Sequence, residues 1–167
     1  MEKYRQLREI SQKKIKLADH MLTMTYPVVK DPKLLVSVME NIFLALTNAI
    51  GSLLHYERTF KKVPQFEDTF ISKFRVFKEN CAKRYKIEES NISLIQEIKD
   101  IVLQHKKSPI EFTRKDSFVI CSDDYIMQTI TLEKMKTYIL KSKSFLQKIS
   151  NIIERNNQIY NKEIRNI

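Results

Sequence analysis

The sequence predicts a mainly α protein, a bundle of four to five helices with a short β-hairpin inserted before the last one. Three observations lead there. The 167-residue chain holds one glycine and four prolines, too little turn chemistry for many short strands but natural for long helices joined by few loops. Apolar residues recur at helical spacing along most of the chain, the signature of amphipathic helices. The period changes to that of strands in one interval only, about 112–131. With 43 % hydrophobic and 30 % charged residues, a chain of this length can bury a core without disulfides or a structural metal. Residues 1–167 are therefore expected to form a single domain.

From Glu2 to about Thr25, Leu7, Ile10, the stem of Lys14, Leu17, Ala18, Met21 and Leu22 form one face, opposed by Lys3, Arg5, Lys13 and Lys16. Tyr26-Pro27 is expected to interrupt this first helix. Asp31 and Pro32 offer an N-cap and a first-turn proline for a second helix reaching about Phe60. Its inward side is Leu35, Val38, Ile42, Ala45, Leu46, Ala49, Leu53 and Tyr56. The small residues Ala45, Ala49, Gly51 and Ser52 would let another helix approach closely, which marks it as the central helix. Its most apolar part, Ile42 to Leu54, is too short to span a bilayer, so neither a membrane span nor an export signal is expected.

After Pro64, the stripe Phe66, Phe70, Phe74, Phe77, Cys81 and Tyr85 reads as the core face of a third helix. Ser90 or Asn91 can cap a fourth, with Ile95, Ile98, Ile101 and Val102 inward and Ser108-Pro109 closing it. Ser117 to Ser122 and Tyr125 to Thr131, around Asp123-Asp124, form the hairpin. Thr131 caps a last helix with Met135, Tyr138, Ile139, Ser142, Phe145, Leu146, Ile149 and Ile153 inward, fraying over about 156–167. Such a bundle often leaves an apolar stripe over, so a homodimer is expected.

Cys81 and Cys121 stand far apart in the sequence, without the spacing of a zinc site or a redox motif, and fit the reducing cytoplasm. Thirty Lys and Arg against twenty Asp and Glu give a formal charge of +10, a bias that attracts phosphate-bearing polymers. A composition rich in Lys, Ile and Asn, as here, is the alternative source of the same bias. Glycine-rich phosphate loops, nucleophile elbows and helical pairs of metal-ligand histidines are all missing. His20, His55 and His105 fall on different helices, so no metal or cofactor is expected.

His105 follows Lys99 and Asp100 on the fourth helix. A first helix, a long apolar second helix, and a later helix carrying a basic residue, a polar residue and then a histidine together resemble the HEPN superfamily of helical bundles. Members commonly carry Arg, then a polar residue, then His after four to six residues; here Lys99 stands in the place of Arg, Asp100 is the polar neighbour and His105 completes the pattern. The resemblance implies one of two functions. Members with the intact motif are metal-independent ribonucleases acting as dimers, and members that have lost it are antitoxins, binding modules or scaffolds.

For cleavage, His105 would move the 2′-hydroxyl proton and Lys99 would stabilise phosphoryl charge. A compact ammonium replaces the planar fork of Arg poorly, and positions 99 and 105 lie about 120° apart around a helix. The preferred reading is thus a binding module, with RNA or a protein such as a nucleotidyltransferase as partner; the ribonuclease is the alternative. Lys106, Lys107, Arg114 and Lys115 could form a phosphate-binding patch, beside Phe112 and Phe118, which stack on bases or pack the hairpin.

Overall fold

The computed structural model describes residues 2–167 as five helical rods and one small antiparallel sheet. The first rod is α1 (Glu2–His20), a π-helical turn (Met21–Thr25) and α2 (Tyr26–Val29). The helix therefore passes through Tyr26-Pro27 instead of breaking there. Proline lacks an N–H and crowds the carbonyl four residues back, and the wider turn, in which the Tyr26 amide bonds to the Met21 carbonyl, gives the backbone room to continue. Lys30, at φ 52°, then ends the rod.

The central helix α3 (Lys33–Thr59) begins where Asp31 accepts a hydrogen bond from the Lys33 amide at 3.0 Å. Every inward position expected of it is buried. The small residues admit α1 so closely that side chains bond across to backbone: Ser11 donates to the Ala45 carbonyl at 2.7 Å, and Ser52 to the Tyr4 carbonyl at 2.9 Å. At 27 residues, with a mean hydropathy of 1.6 in its best window, α3 is long and apolar enough to cross a membrane. The reading from Ile42–Leu54 alone was too short, because the helix runs beyond that core in both directions. In the fold, that window is 56 % buried among the other helices.

The third rod is α4 (Phe70–Val76), capped by Thr69, running into a π turn (Phe77–Ala82). It starts four residues after Phe66, which lies outside it against His55 at 5.2 Å between ring centres. Helix α5 (Glu89–Lys107) follows, starting just before the expected Ser90 or Asn91 cap and ending at Ser108. The sheet comprises β1 (Ile110–Arg114), β2 (Ser117–Cys121) and β3 (Met127–Ile130), antiparallel in that order. The expected hairpin is β2–β3; β1 is an extra strand beginning before 112, short and mostly exposed, with Ile110 and Phe112 its only apolar residues. Thr131 caps α6 (Leu132–Arg165) by accepting from the Lys134 amide at 3.1 Å. Its inward positions from Met135 to Ile153 are buried as expected, and the tail from 156 onward is helical to Arg165.

Polar bonds give the helices their relative direction. Arg8 donates to Ser150 at 3.1 Å and pairs with Glu154, and Lys143 meets Asp19 at 2.6 Å. So α6 runs antiparallel to α1, and its C-terminal turns reach the end of the bundle where α1 starts and α3 stops. The sheet occupies the other end.

Candidate functional site

On the sheet-facing end of α5, the residues quoted for the HEPN resemblance part company. His105 points to β1 and α3: its Nδ1 lies 2.6 Å from Glu111 Oε1 and its Nε2 3.5 Å from Glu40 Oε1. Lys99 lies about 9 Å back along the axis and rests its ammonium over the Phe70 ring of α4, 5.6 Å from the centroid. Asp100 is exposed and accepts from Gln96 at 2.9 Å. The charged groups that meet the imidazole are thus two carboxylates, and these repel a phosphodiester instead of drawing it in. Glu40 and Glu111 had no signal in the sequence, because a single exposed-looking glutamate does not reveal its partner.

The candidate phosphate patch is divided as well. Lys106 and Lys107 end α5, whereas Arg114 and Lys115 lie at the far end of β1, on the order of 15 Å away for a strand of that length. Between 103 and 131, four carboxylates, Glu111, Asp116, Asp123 and Asp124, match these four cations. The net charge therefore lies elsewhere. Phe118 packs into the core and Phe112 is 40 % exposed.

The opposite end of the bundle collects the excess. Arg84 Nη2 donates to the Lys62 carbonyl at 2.8 Å, Asn156 to the Tyr85 hydroxyl at 2.8 Å, and the Phe60 and Tyr160 rings meet edge to face at 5.2 Å. These contacts bring the end of α3, the 83–86 turn and the last turns of α6 together. The exposed cations Arg58, Lys61, Lys62, Lys83, Lys86, Arg155 and Lys162 belong to these segments. Between α3 and α6 lies a groove of about 250 Å³ lined by Tyr56, Phe60, Lys62, Asn156, Ile159, Tyr160 and Glu163. A larger groove of about 550 Å³ along α5 carries Glu89, Glu97 and Asp100 against a single Lys78, a lining that disfavours phosphate.

An ion pair on a buried carboxylate ties the 83–86 turn to α3 at the basic end. Glu57 is 0 % exposed; one carboxylate oxygen takes Arg84 and the other the Tyr85 hydroxyl. Burial, and then the bond to Glu57, pushes the Tyr85 phenol up to about 12, so it stays a donor. Burial, with Glu57 nearby, likewise pushes the Cys81 thiol up to about 12, which leaves a protonated core residue without nucleophilic character. His55, two residues before Glu57 on α3, is shifted down, by burial first and then by Lys73, Lys3 and Arg58. Among the described residues, no cluster of three His, Cys, Asp or Glu side chains could hold a metal ion. No protein-family model matches the chain, and no curated protein matches it either.

Proposed function

We propose that this protein is a non-catalytic, HEPN-like helical module that binds single-stranded RNA through the basic end of its bundle. The observation that carries the reading is the gathering of exposed lysines and arginines at the end of the bundle that holds the Phe60–Tyr160 pair, beside a groove lined by one of those cations, Lys62, and by Glu163. Cations that follow a backbone, beside rings on which bases stack, are what sequence-tolerant single-strand binding needs. Tyr160 is 43 % exposed, and Lys62 lies 5.8 Å from the Phe60 centroid, at the groove edge. The absence of catalysis is supported by His105, engaged by Glu111, and by Lys99, engaged by Phe70. A ribonuclease reading would require both to leave those partners and converge.

The test is anisotropy of a labelled single-stranded RNA at several salt concentrations. Affinity should fall steeply with salt. Lys61→Glu with Lys62→Glu should weaken it at least about tenfold, Tyr160→Ala should cost about 1–3 kcal/mol if a base stacks there, and Lys106→Glu with Lys107→Glu should change little. RNA incubated with the protein and a chelator should stay as intact as with His105→Ala. Binding that ignores the Lys61 and Lys62 reversals refutes the proposed site. Cleavage that disappears in His105→Ala refutes the absence of catalysis.

A further inference from the structure

The groove between α3 and α6 carries a group that a plain phosphate site would exclude. Glu163 lines it, at the end of the bundle where exposed lysines and arginines gather, yet it makes no ion pair among the described residues. A carboxylate repels a nucleic-acid backbone. It accepts hydrogen bonds only, and its two oxygens can take two parallel N–H donors. Asn156, Tyr160 and Glu163 follow one another at four and three residues along α6, the spacing of one helical stripe. Glu163 therefore stands about one turn beyond the Tyr160 ring. Tyr56, Phe60 and Lys62 form the facing wall. Burial first, then Tyr4 and Glu57, pushes the Tyr56 phenol up to about 12, so its hydroxyl keeps its proton and that wall presents donors. The volume of about 250 Å³ lies below the roughly 300–1,000 Å³ of sites that enclose a whole small ligand. It suits one base, with ribose and phosphate outside.

We propose that this groove selects guanine at one position of the bound RNA, the base stacking on Tyr160 while its N1–H and amino group donate together to the Glu163 carboxylate. The inference rests on the RNA-binding reading of the basic end and adds a preference at one nucleotide to otherwise sequence-tolerant binding. Stacking accepts any base, since each has a π face; choice comes from hydrogen bonds to the base edge. Guanine alone of the four presents two adjacent N–H donors on its pairing edge, and beside them a carbonyl that the Tyr56 hydroxyl and the Lys62 ammonium can meet. Uracil sets one N–H between two carbonyls, so a carboxylate taking that proton faces an acceptor on either side. Adenine and cytosine each place a ring-nitrogen acceptor beside the amino group, which repels the second carboxylate oxygen. Glu163 thus discriminates by penalising three bases as well as by bonding one. The exposed cations Lys61, Arg155 and Lys162 remain for the flanking phosphates.

The test is anisotropy of a labelled short oligouridine and of the same strand with one central guanosine. The guanosine strand should bind at least about fivefold tighter, the lower end of what a bidentate pair discriminates. Inosine in its place lacks the amino group and should lose most of that gain. Glu163→Gln, checked for folding by circular dichroism, should act in opposite directions on the two strands. The guanosine strand weakens, because the amide offers one acceptor in place of two, while the oligouridine holds or tightens, because a negative charge beside its phosphates is gone. A purely structural role for Glu163 would move both strands the same way. Guanosine monophosphate brings a single phosphate and should displace the RNA only at millimolar levels; displacement at micromolar levels would give the groove to a free nucleotide and overturn its assignment to RNA. Equal binding of the two strands, or a parallel shift of both in Glu163→Gln, overturns the guanine preference and leaves the RNA-binding end standing. Failure of both strands to bind even at low salt overturns both readings.

Discussion

Replacing Arg84 with methionine isolates the most polar part of the core. The Glu57 carboxylate has no exposed surface, and Arg84 and the Tyr85 hydroxyl are its two partners. Removing the guanidinium leaves an anion facing one phenol, a loss that typically costs about 3–5 kcal/mol. The Arg84 side chain is itself 36 % exposed, so water can enter where it stood, and the lower end, about 3 kcal/mol, applies. At about 2–4 °C per kcal/mol for a chain of this size, Tm should drop by about 6–12 °C. Neutralising the orphan should reverse much of the loss: Glu57→Gln added to Arg84→Met is expected to recover about half or more, because an amide is far less costly to bury than an unpaired charge. Urea denaturation followed by circular dichroism, run as a double-mutant cycle, measures the coupling. A cost below about 1 kcal/mol for Arg84→Met, or strict additivity of the two changes, would refute a buried ion pair as the element holding the 83–86 turn to α3.

The environment of His55 predicts a pH dependence. Its folded value lies below the ordinary 6.5 because burial and then Lys73, Lys3 and Arg58 oppose the charged ring. The unfolded chain therefore binds the extra proton first, so this contribution to stability is complete above about 6.5 and is lost as pH falls towards the folded value. His55→Gln should flatten that part of the stability–pH curve; an unchanged slope between about pH 7 and 5 would contradict the assignment. Lysines also occupy left-handed backbone positions where glycine is favoured, among them Lys30 at φ 52° and Lys86 at φ 51°. Lys30→Gly and Lys86→Gly should each stabilise by about 0.5–1 kcal/mol in thermal melts, and a drop in Tm would show that the side chains contribute more than the backbone strain removes.

The helical class, the central position of α3, the Asp31 and Thr131 caps and the inward faces of α5 and α6 were legible in the sequence. They depend on spacing of three and four residues and on capping side chains, interactions confined to a few turns of chain. Departures came where a neighbour in space changed the outcome. Pro27 sits inside a rod because a π turn absorbs it. Strand β1 forms because β2 offers a hydrogen-bonding edge to a short segment whose alternation amounts to Ile110 and Phe112 alone. The α6 tail stays helical past 156, where Tyr160 packs on Phe60.

The site divides the same way. That His105 lies in the basic last turn of a helix could be read from the chain, but tertiary packing decided that Glu40 and Glu111 would face it and that Lys99 would lie on Phe70. Composition alone determined the excess of positive charge. Its location, away from the sheet and around a groove between α3 and α6, came from antiparallel packing that brings cations from residues 58 to 62, 83 to 86 and 155 to 162 together. Glu57 shows the reason most directly: it is indistinguishable from a surface glutamate within its own helix, and only the return of Arg84 and Tyr85, 27 and 28 residues later, makes it a buried anchor. Local order is written in short-range pattern, whereas electrostatic neighbourhoods are set by the distant segments that the fold places side by side.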